Sequence, residues 1–191
     1  KSCGCELPGK TFFSSILGFK LNWFSVLPIF IELMLENKVP KIDSLTPKEL
    51  RDMRAKMSSV PQEKIVKIKN VKDITLNSKN KKITLRVYKD TEETLITPLI
   101  IFFHGGGFVM GDLESHDLLC RHLCKKTKST LIAVDYRLAP ENKFPSAIED
   151  ALDSVNYIFN NSKNLYFNNK KVVLCGDSAG GNLAFLMSIY A

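Results

Sequence analysis

The sequence has few of the residues that bind metals or form disulfides: five cysteines and three histidines occur among its 191 residues. An odd number of cysteines at irregular spacing indicates a reducing compartment, and we therefore expect a cytoplasmic protein. Cys120 and Cys124 lie one helical turn apart, with His116 one turn before them. Because no second pair at zinc-site spacing is present, this pattern favours a buried helix face, and we predict no metal site.

The sequence also lacks an apolar run long enough to span a bilayer. Its most apolar N-terminal stretch, Thr11 to Glu36, is interrupted by Lys20, Asn22 and Pro28. Two short amphipathic helices fit this stretch better, either as a cap over a binding site or lying on a membrane. Their polar face lacks the Lys and Arg enrichment of interfacial helices, which favours the cap and leaves only a weak membrane or lipid contact. No short apolar core leads to a small-residue cleavage site, so we expect no secretory signal.

Acidic residues are outnumbered, and the net charge is +7. Basic side chains cluster in one region: Lys64, Lys67, Lys69, Lys72, Lys79, Lys81 and Lys82. They fit either a patch for nucleic acid or an anionic membrane, or the solvated face of edge strands. No nucleic-acid motif accompanies them, and lysines protect exposed strand edges, so we predict no nucleic-acid partner.

The periodicity of apolar residues changes along the chain. Thr46-Pro47-Lys48-Glu49 predicts a helix start, with Thr46 as N-cap and Glu49 closing a capping box. Strands are predicted over Ile65–Leu76 and Ile83–Tyr88, the second alternating between apolar and polar residues as a half-buried strand does. The segment between them is a turn, so we expect an antiparallel pair.

Three continuous apolar runs follow, and such runs are typical of strands covered on both faces. They are Leu99–Phe103, Thr130–Val134 and Lys171–Cys175. Helices are predicted after each run, beginning near Ser115, Pro145 and Gly180. This alternation predicts an α/β fold with a mostly parallel sheet and flanking helices.

The third run leads into Gly176-Asp177-Ser178-Ala179-Gly180, which matches G-x-S-x-G. A sharp turn from strand to helix lifts a serine hydroxyl out of the sheet, and the flanking glycines leave room for neighbouring backbone. Ser178 is therefore a candidate nucleophile. The N–H of Ala179 opens the next helix, where it is suited to bind developing negative charge.

The first run leads into His104-Gly105-Gly106-Gly107. Consecutive glycines let a loop present N–H groups to an anion, which is the second half of an oxyanion hole. The loop lacks the endings of a P-loop or a dinucleotide site, so phosphate binding is set aside. Because His104 precedes the glycines, we interpret it as an anchor for this loop rather than as the catalytic base.

These motifs, together with two others, resemble the hormone-sensitive-lipase-like family of α/β-hydrolase esterases, which includes bacterial acetyl esterases and arylacetamide deacetylase. The other two are Asp135-Tyr136-Arg137-Leu138-Ala139-Pro140-Glu141 and Phe144-Pro145. The resemblance implies that residues 1–62 form an N-terminal helical cap and residues 63–191 the N-terminal part of the catalytic domain. It also implies hydrolysis of esters of short to medium acyl chains, without any cofactor.

The same resemblance assigns roles to single residues. Ser178 would form the acyl-enzyme, and the N–H groups of Gly105, Gly106 and Ala179 would form the oxyanion hole, with Gly107 shaping the loop. The segment from Tyr136 to Glu141 would pack beneath the site.

The catalytic triad of this fold runs from Ser to Asp or Glu and then to His. None of the residues after Ser178 is Asp, Glu or His, and His116 and His122 fall in a predicted helix upstream. The last helix has no C-cap, and the run Lys171–Cys175 suits a central strand. We therefore expect a fragment that lacks its C-terminal strands and turns over feebly alone. A non-catalytic ligand-binding protein and an amidase or deacetylase of the same fold are the alternatives.

Overall fold

The computed structural model describes residues 44–58, 65–78 and 81–190. All described helices and strands lie within one compact unit, Thr46–Ala191. The helices predicted within Thr11 to Glu36 lie outside the described residues, so the division into residues 1–62 and 63–191 stays a prediction. Within the part of the chain that is described, no helix is long and apolar enough to span a bilayer.

Helices and strands alternate after an initial strand pair. In chain order the elements are α1 (Pro47–Ser58), β1 (Asn70–Ser78), β2 (Lys81–Lys89), β3 (Thr97–Phe103), α2 (Asp117–Thr127), β4 (Thr130–Asp135), α3 (Ser146–Asn160), β5 (Phe167–Gly176) and α4 (Ala179–Tyr190). The predicted capping box opens α1: Thr46 N–H donates to Glu49 Oε2 at 2.8 Å, and Glu49 N–H donates to Thr46 Oγ1 at 3.3 Å.

The five strands form one sheet in the order β1-β2-β4-β3-β5. The strands β3, β4 and β5 are parallel, and β1 and β2 add an antiparallel pair beside β4, as the sequence predicted. The strand β1 begins at Asn70, later than the predicted start at Ile65, because Asn70 pairs with Lys89, where β2 ends. The glycines after His104 and the G-x-S-x-G motif therefore follow the carboxyl ends of two neighbouring parallel strands, β3 and β5.

Helices cover the sheet on both faces, which explains the continuous apolar runs. In β3, Leu99, Ile101 and Phe103 pack in one core cluster with residues of α3 and α4, while Ile100 and Phe102 pack in another with residues of α2. The second cluster contains Cys120 and Cys124, which are fully buried. The prediction of a buried helix face at these cysteines is confirmed.

Two expectations about exposed strand residues are wrong. Tyr88, predicted on the polar face of β2, is fully buried because α2 covers that face, and its hydroxyl donates to Asp117 Oδ1 at 3.0 Å. Lys81, predicted as a solvated residue, has a side chain only 14% exposed and pairs with Asp150 at 2.6 Å. Lys69, by contrast, pairs with a carboxylate at the surface as expected.

Candidate active site

The G-x-S-x-G motif forms the turn between β5 and α4. Ser178 is exposed and has φ 50°, in the left-handed region that non-glycine residues avoid. Such a conformation persists only where its surroundings enforce it, and it is frequent at active sites. Asn182 N–H donates to Ser178 O at 3.1 Å, which fixes the turn to the first turn of α4.

Glycine is required on both sides of this serine. A Cβ atom at Gly180 would lie 2.0 Å from the carbonyl oxygen of Phe103, at the end of β3. A Cβ atom at Gly176 would lie 2.5 Å from the carbonyl carbon of Gly180. The helix α4 can therefore begin against the end of β3 only because these positions carry no side chain.

The loop of residues 104–107, called the glycine loop below, is fixed by hydrogen bonds to successive peptide groups. Because a peptide is planar, a bond to its carbonyl also sets the direction of the N–H in the same plane. Tyr136 hydroxyl donates to His104 O at 2.6 Å, and His104 Nδ1 donates to Gly105 O at 2.9 Å. Gly106 O accepts from the N–H of Val109 at 3.1 Å and of Met110 at 3.0 Å. The N–H of Gly106 therefore points in a direction set by the His104 ring.

His104 anchors the loop, as the sequence predicted. Its ring stacks on Tyr136 with 4.3 Å between the ring centroids, and the residue is only 2% exposed. Burial lowers the pKa of His104, which favours the neutral ring. Since a carbonyl only accepts, the hydrogen of that neutral ring lies on Nδ1, facing Gly105 O.

Asp177 joins the glycine loop to the serine turn, a connection that the sequence analysis missed. Its Oδ1 accepts from Gly105 N–H at 2.9 Å and lies 3.2 Å from His116 Nε2. The hydrogen bond from His116 lowers the pKa of Asp177, so the carboxylate stays ionised at neutral pH. The bond to Gly105 competes with the predicted role of that residue as an oxyanion donor, and the role stays a prediction.

The other two predicted oxyanion donors differ from Gly105. Among the described residues, no acceptor bonds the N–H of Gly106 or of Ala179. Gly106 has φ 130°, and a Cβ atom there would lie 2.0 Å from Met110 O, so only glycine fits. Ala179 is the first residue of α4, where N–H groups have no partner within the helix.

Two of the three histidines, His104 and His116, already have hydrogen-bond partners other than Ser178. His116 is buried beside α2 and lies 2.9 Å from Ser115 Oγ through Nδ1, in addition to its contact with Asp177. His122 lies within α2 and is partly exposed. The structure thus brings together Ser178, the glycine loop and Asp177, and it gives His104 and His116 other hydrogen-bond partners.

Comparisons with known proteins agree with the fold. Residues 100–191 match the family model described as alpha/beta hydrolase fold. Esterase LipI of Mycobacterium tuberculosis is 32% identical over 138 residues, covering 71% of this chain and 43% of LipI. An arylesterase of Saccharolobus solfataricus is 30% identical over 152 residues, covering 78% of this chain and 49% of the arylesterase.

A solved esterase structure is also similar to this chain. A hyperthermophilic esterase from Pyrobaculum calidifontis superposes with a TM-score of 0.70 at 39% identity, over 77% of this chain and 48% of that one. The chain spans less than half the length of each of these three relatives. With its sheet, its two motifs and these matches, the chain belongs to the α/β-hydrolase family, in the hormone-sensitive-lipase-like group.

Proposed function

We propose that the protein is a serine carboxylester hydrolase with Ser178 as its nucleophile, and that its substrates are small esters of short to medium acyl chains. The observation that carries the proposal is the left-handed conformation of an exposed Ser178 directly before α4. Relatives named esterase and arylesterase support the class of reaction. The acyl-chain range rests on the family resemblance.

The proposed chemistry is acyl transfer through a covalent intermediate. Ser178 Oγ attacks the ester carbonyl carbon while a general base takes its proton, and the carbonyl oxygen becomes an oxyanion. Collapse of this intermediate breaks the bond to the alkoxide, which takes the proton from the base and leaves as the alcohol, while the acyl group stays on Ser178. The base then takes a proton from water as the water oxygen attacks the acyl carbon, and it gives that proton to Ser178 Oγ as the acid is released.

Backbone N–H groups would stabilise the oxyanion. Gly106 and Ala179 are the donors that the geometry favours, because neither N–H is bonded within the described residues. Gly105 would contribute only after releasing its bond to Asp177. Preorganised donors of this kind each contribute roughly 10²- to 10³-fold to the rate.

The test begins with the protein expressed from its natural coding sequence, whose intact mass is compared with the 21.5 kDa of this chain. We expect a fluorophosphonate to label Ser178 and the protein to hydrolyse p-nitrophenyl acetate. Ser178→Ala should lower hydrolysis by about 10³-fold or more and abolish labelling. Ser188→Ala, an exposed serine of α4, is the matched control and should keep both. Unchanged hydrolysis in Ser178→Ala would show that the nucleophile is another group.

A non-catalytic, ligand-binding member of the same fold is the second candidate. The observation that favours it is the state of the histidines: His116 Nε2 contacts Asp177, and burial lowers the pKa of His104, which makes it a poor proton acceptor. This candidate predicts saturable binding of small esters or carboxylates with no hydrolysis and no phosphonate labelling. The labelling experiment above separates the two candidates.

A further inference from the structure

Arg51, in α1, reaches the glycine loop although it precedes that loop by more than fifty residues. Its Nε donates to Val109 O at 2.8 Å, and its Nη2 donates to Ala139 O at 2.9 Å. The same guanidinium holds Glu141 through two bonds, of 2.9 Å and 2.7 Å. One planar group therefore bonds the loop after β3 and the segment after β4 at once.

The bond to Val109 acts on the glycine loop through shared peptide planes. The carbonyl of Val109 and the N–H of Met110 belong to one planar peptide. That N–H donates to Gly106 O at 3.0 Å, so a guanidinium that fixes the Val109 carbonyl also fixes the direction of the bond to Gly106. Gly106 is thus held on one side by the His104 ring and on the other by a contact that Arg51 orients.

The remaining bonds of Arg51 strengthen this connection. Ala139 accepts from Arg51 through its carbonyl and donates through its N–H to Phe108 O at 2.8 Å, so the two segments also bond to each other. The hydrogen bond from Arg51 lowers the pKa of Glu141 to about 2, and the pair stays ionised over the usual assay range. Glu141 therefore remains charged and bonded to Arg51, although it takes no part in nucleophilic attack or in oxyanion binding.

The charge attraction between Arg51 and Glu141 is not the main property of this arrangement. The side chains of Arg51 and Glu141 are 33% and 57% exposed, and ion pairs this exposed contribute little to folding. A guanidinium, however, offers donors in a rigid plane, which a lysine ammonium cannot reproduce. The planar arrangement of the guanidinium donors is therefore the property that the site would use.

We infer that Arg51 is a positioning residue that holds the glycine loop in the orientation needed for oxyanion binding, with Glu141 aligning its guanidinium. Arg51 touches no reacting atom and acts through the Val109–Met110 peptide. The inference rests on the proposed esterase function for its effect on rate, whereas its effect on loop order is independent of that function.

The experiment compares Arg51→Lys and Arg51→Ala with Lys48→Ala, an exposed position in the same helix, in the protein expressed from its natural coding sequence. Hydrogen–deuterium exchange is measured for the peptide that contains Val109 and Met110. In parallel, kcat and KM are measured with p-nitrophenyl acetate, and unfolding is followed by heating. Arg51→Lys keeps the charge and is expected to fold even if Arg51→Ala does not.

We expect Arg51→Lys to exchange faster at Val109 and Met110, and to lower kcat roughly tenfold while KM changes less than about twofold. Lys48→Ala should match the parent in every measurement. The inference is overturned if Arg51→Lys and Lys48→Ala have equal exchange and equal kcat, or if Arg51→Lys only lowers the unfolding temperature. If the parent neither hydrolyses esters nor labels at Ser178 while exchange still rises in Arg51→Lys, the proposed function fails and the loop-positioning part is supported.

Discussion

The residue whose conformation most constrains the candidate oxyanion hole is Gly106. A methyl group there would lie 2.0 Å from Met110 O and would require φ 130° from an alanine. We expect Gly106→Ala to lower kcat/KM for p-nitrophenyl acetate by roughly 100-fold, because the loop must shift to relieve the contact. Gly107→Ala is the matched control: φ is 63° there, yet no atom lies within 4 Å of the added carbon. Equal losses of kcat/KM in the two variants would contradict this prediction.

The same residues show how far a sequence can specify a site. The G-x-S-x-G motif and the His104-Gly105-Gly106-Gly107 sequence predicted that Ser178 and the glycines lie at the ends of β5 and β3. This prediction was possible because each motif adjoins its strand in the sequence. The bond from Gly105 to Asp177 joins residues 72 positions apart, and nothing in either motif indicates it. Arg51 was missed for the same reason, since it meets the loop only after the chain has folded.

At the scale of elements, one buried carboxylate of α3 bonds both β2 and the segment after β4. Asp150 is fully buried and accepts from Arg137 Nε at 2.9 Å and from Lys81 Nζ at 2.6 Å. Burial by itself would raise the pKa of Asp150, but the hydrogen bonds from Arg137 and Lys81 outweigh it, and the pKa is lowered. A lowered pKa in the folded state means that this stabilisation is present above the ordinary pKa of an aspartate and is lost as pH falls through the folded value.

We therefore expect Asp150→Asn to lower the free energy of unfolding by about 3–5 kcal/mol at pH 7, because it leaves two cations without their buried partner. The difference from the parent should shrink only below the ordinary pKa of an aspartate, where the carboxylate of the folded parent becomes protonated. Urea denaturation at pH 7 and at several pH values below that ordinary pKa measures both effects. Glu149→Gln, whose side chain is 57% exposed beside the same Arg137, is the control and should cost about 1 kcal/mol or less. The assignment is wrong if the two variants cost the same.

The predictions of which strand residues are exposed failed where helices packed on the sheet decide burial. Alternation along β2 correctly placed Ile83, Leu85 and Val87 in the core. It could not reveal that α2 would cover Tyr88, or that α3 would supply carboxylates to Lys81. Strand periodicity reports which residues share a face, whereas the helices that cover each face are set by packing between distant segments.

For the whole molecule, the sequence predicted the alternation of parallel strands and helices, and it predicted α1 to lie within the cap of residues 1–62. Arg51 shows that α1 bonds to loops of the sheet domain, within the compact unit Thr46–Ala191. The charge and apolarity of α1 alone could not indicate this, because an exposed arginine in a short helix is typical of a solvated surface. The position of its guanidinium between two loops is what connects this helix to the proposed chemistry.

The outer side of β5 leads to a prediction about the chain of 191 residues by itself. Within the described residues, β5 is an edge of the sheet, and Val173 on it is 56% exposed. Nearby in sequence, Phe185, Ile189 and Tyr190 of α4 are each more than 60% exposed. A parallel edge strand with unpaired backbone groups and apolar side chains is a template for association with another chain.

We expect this chain to form dimers or larger species near 100 µM, measured by size-exclusion chromatography with light scattering. Val173→Lys should shift it towards monomer, because a charge at an edge strand opposes pairing. Thr75→Lys, on the opposite edge strand β1 that already carries Lys72, should leave association unchanged. A monodisperse monomer at that concentration would mean that the exposed edge of β5 does not associate. If both variants dissociated the chain equally, net charge rather than the β5 edge would control its association.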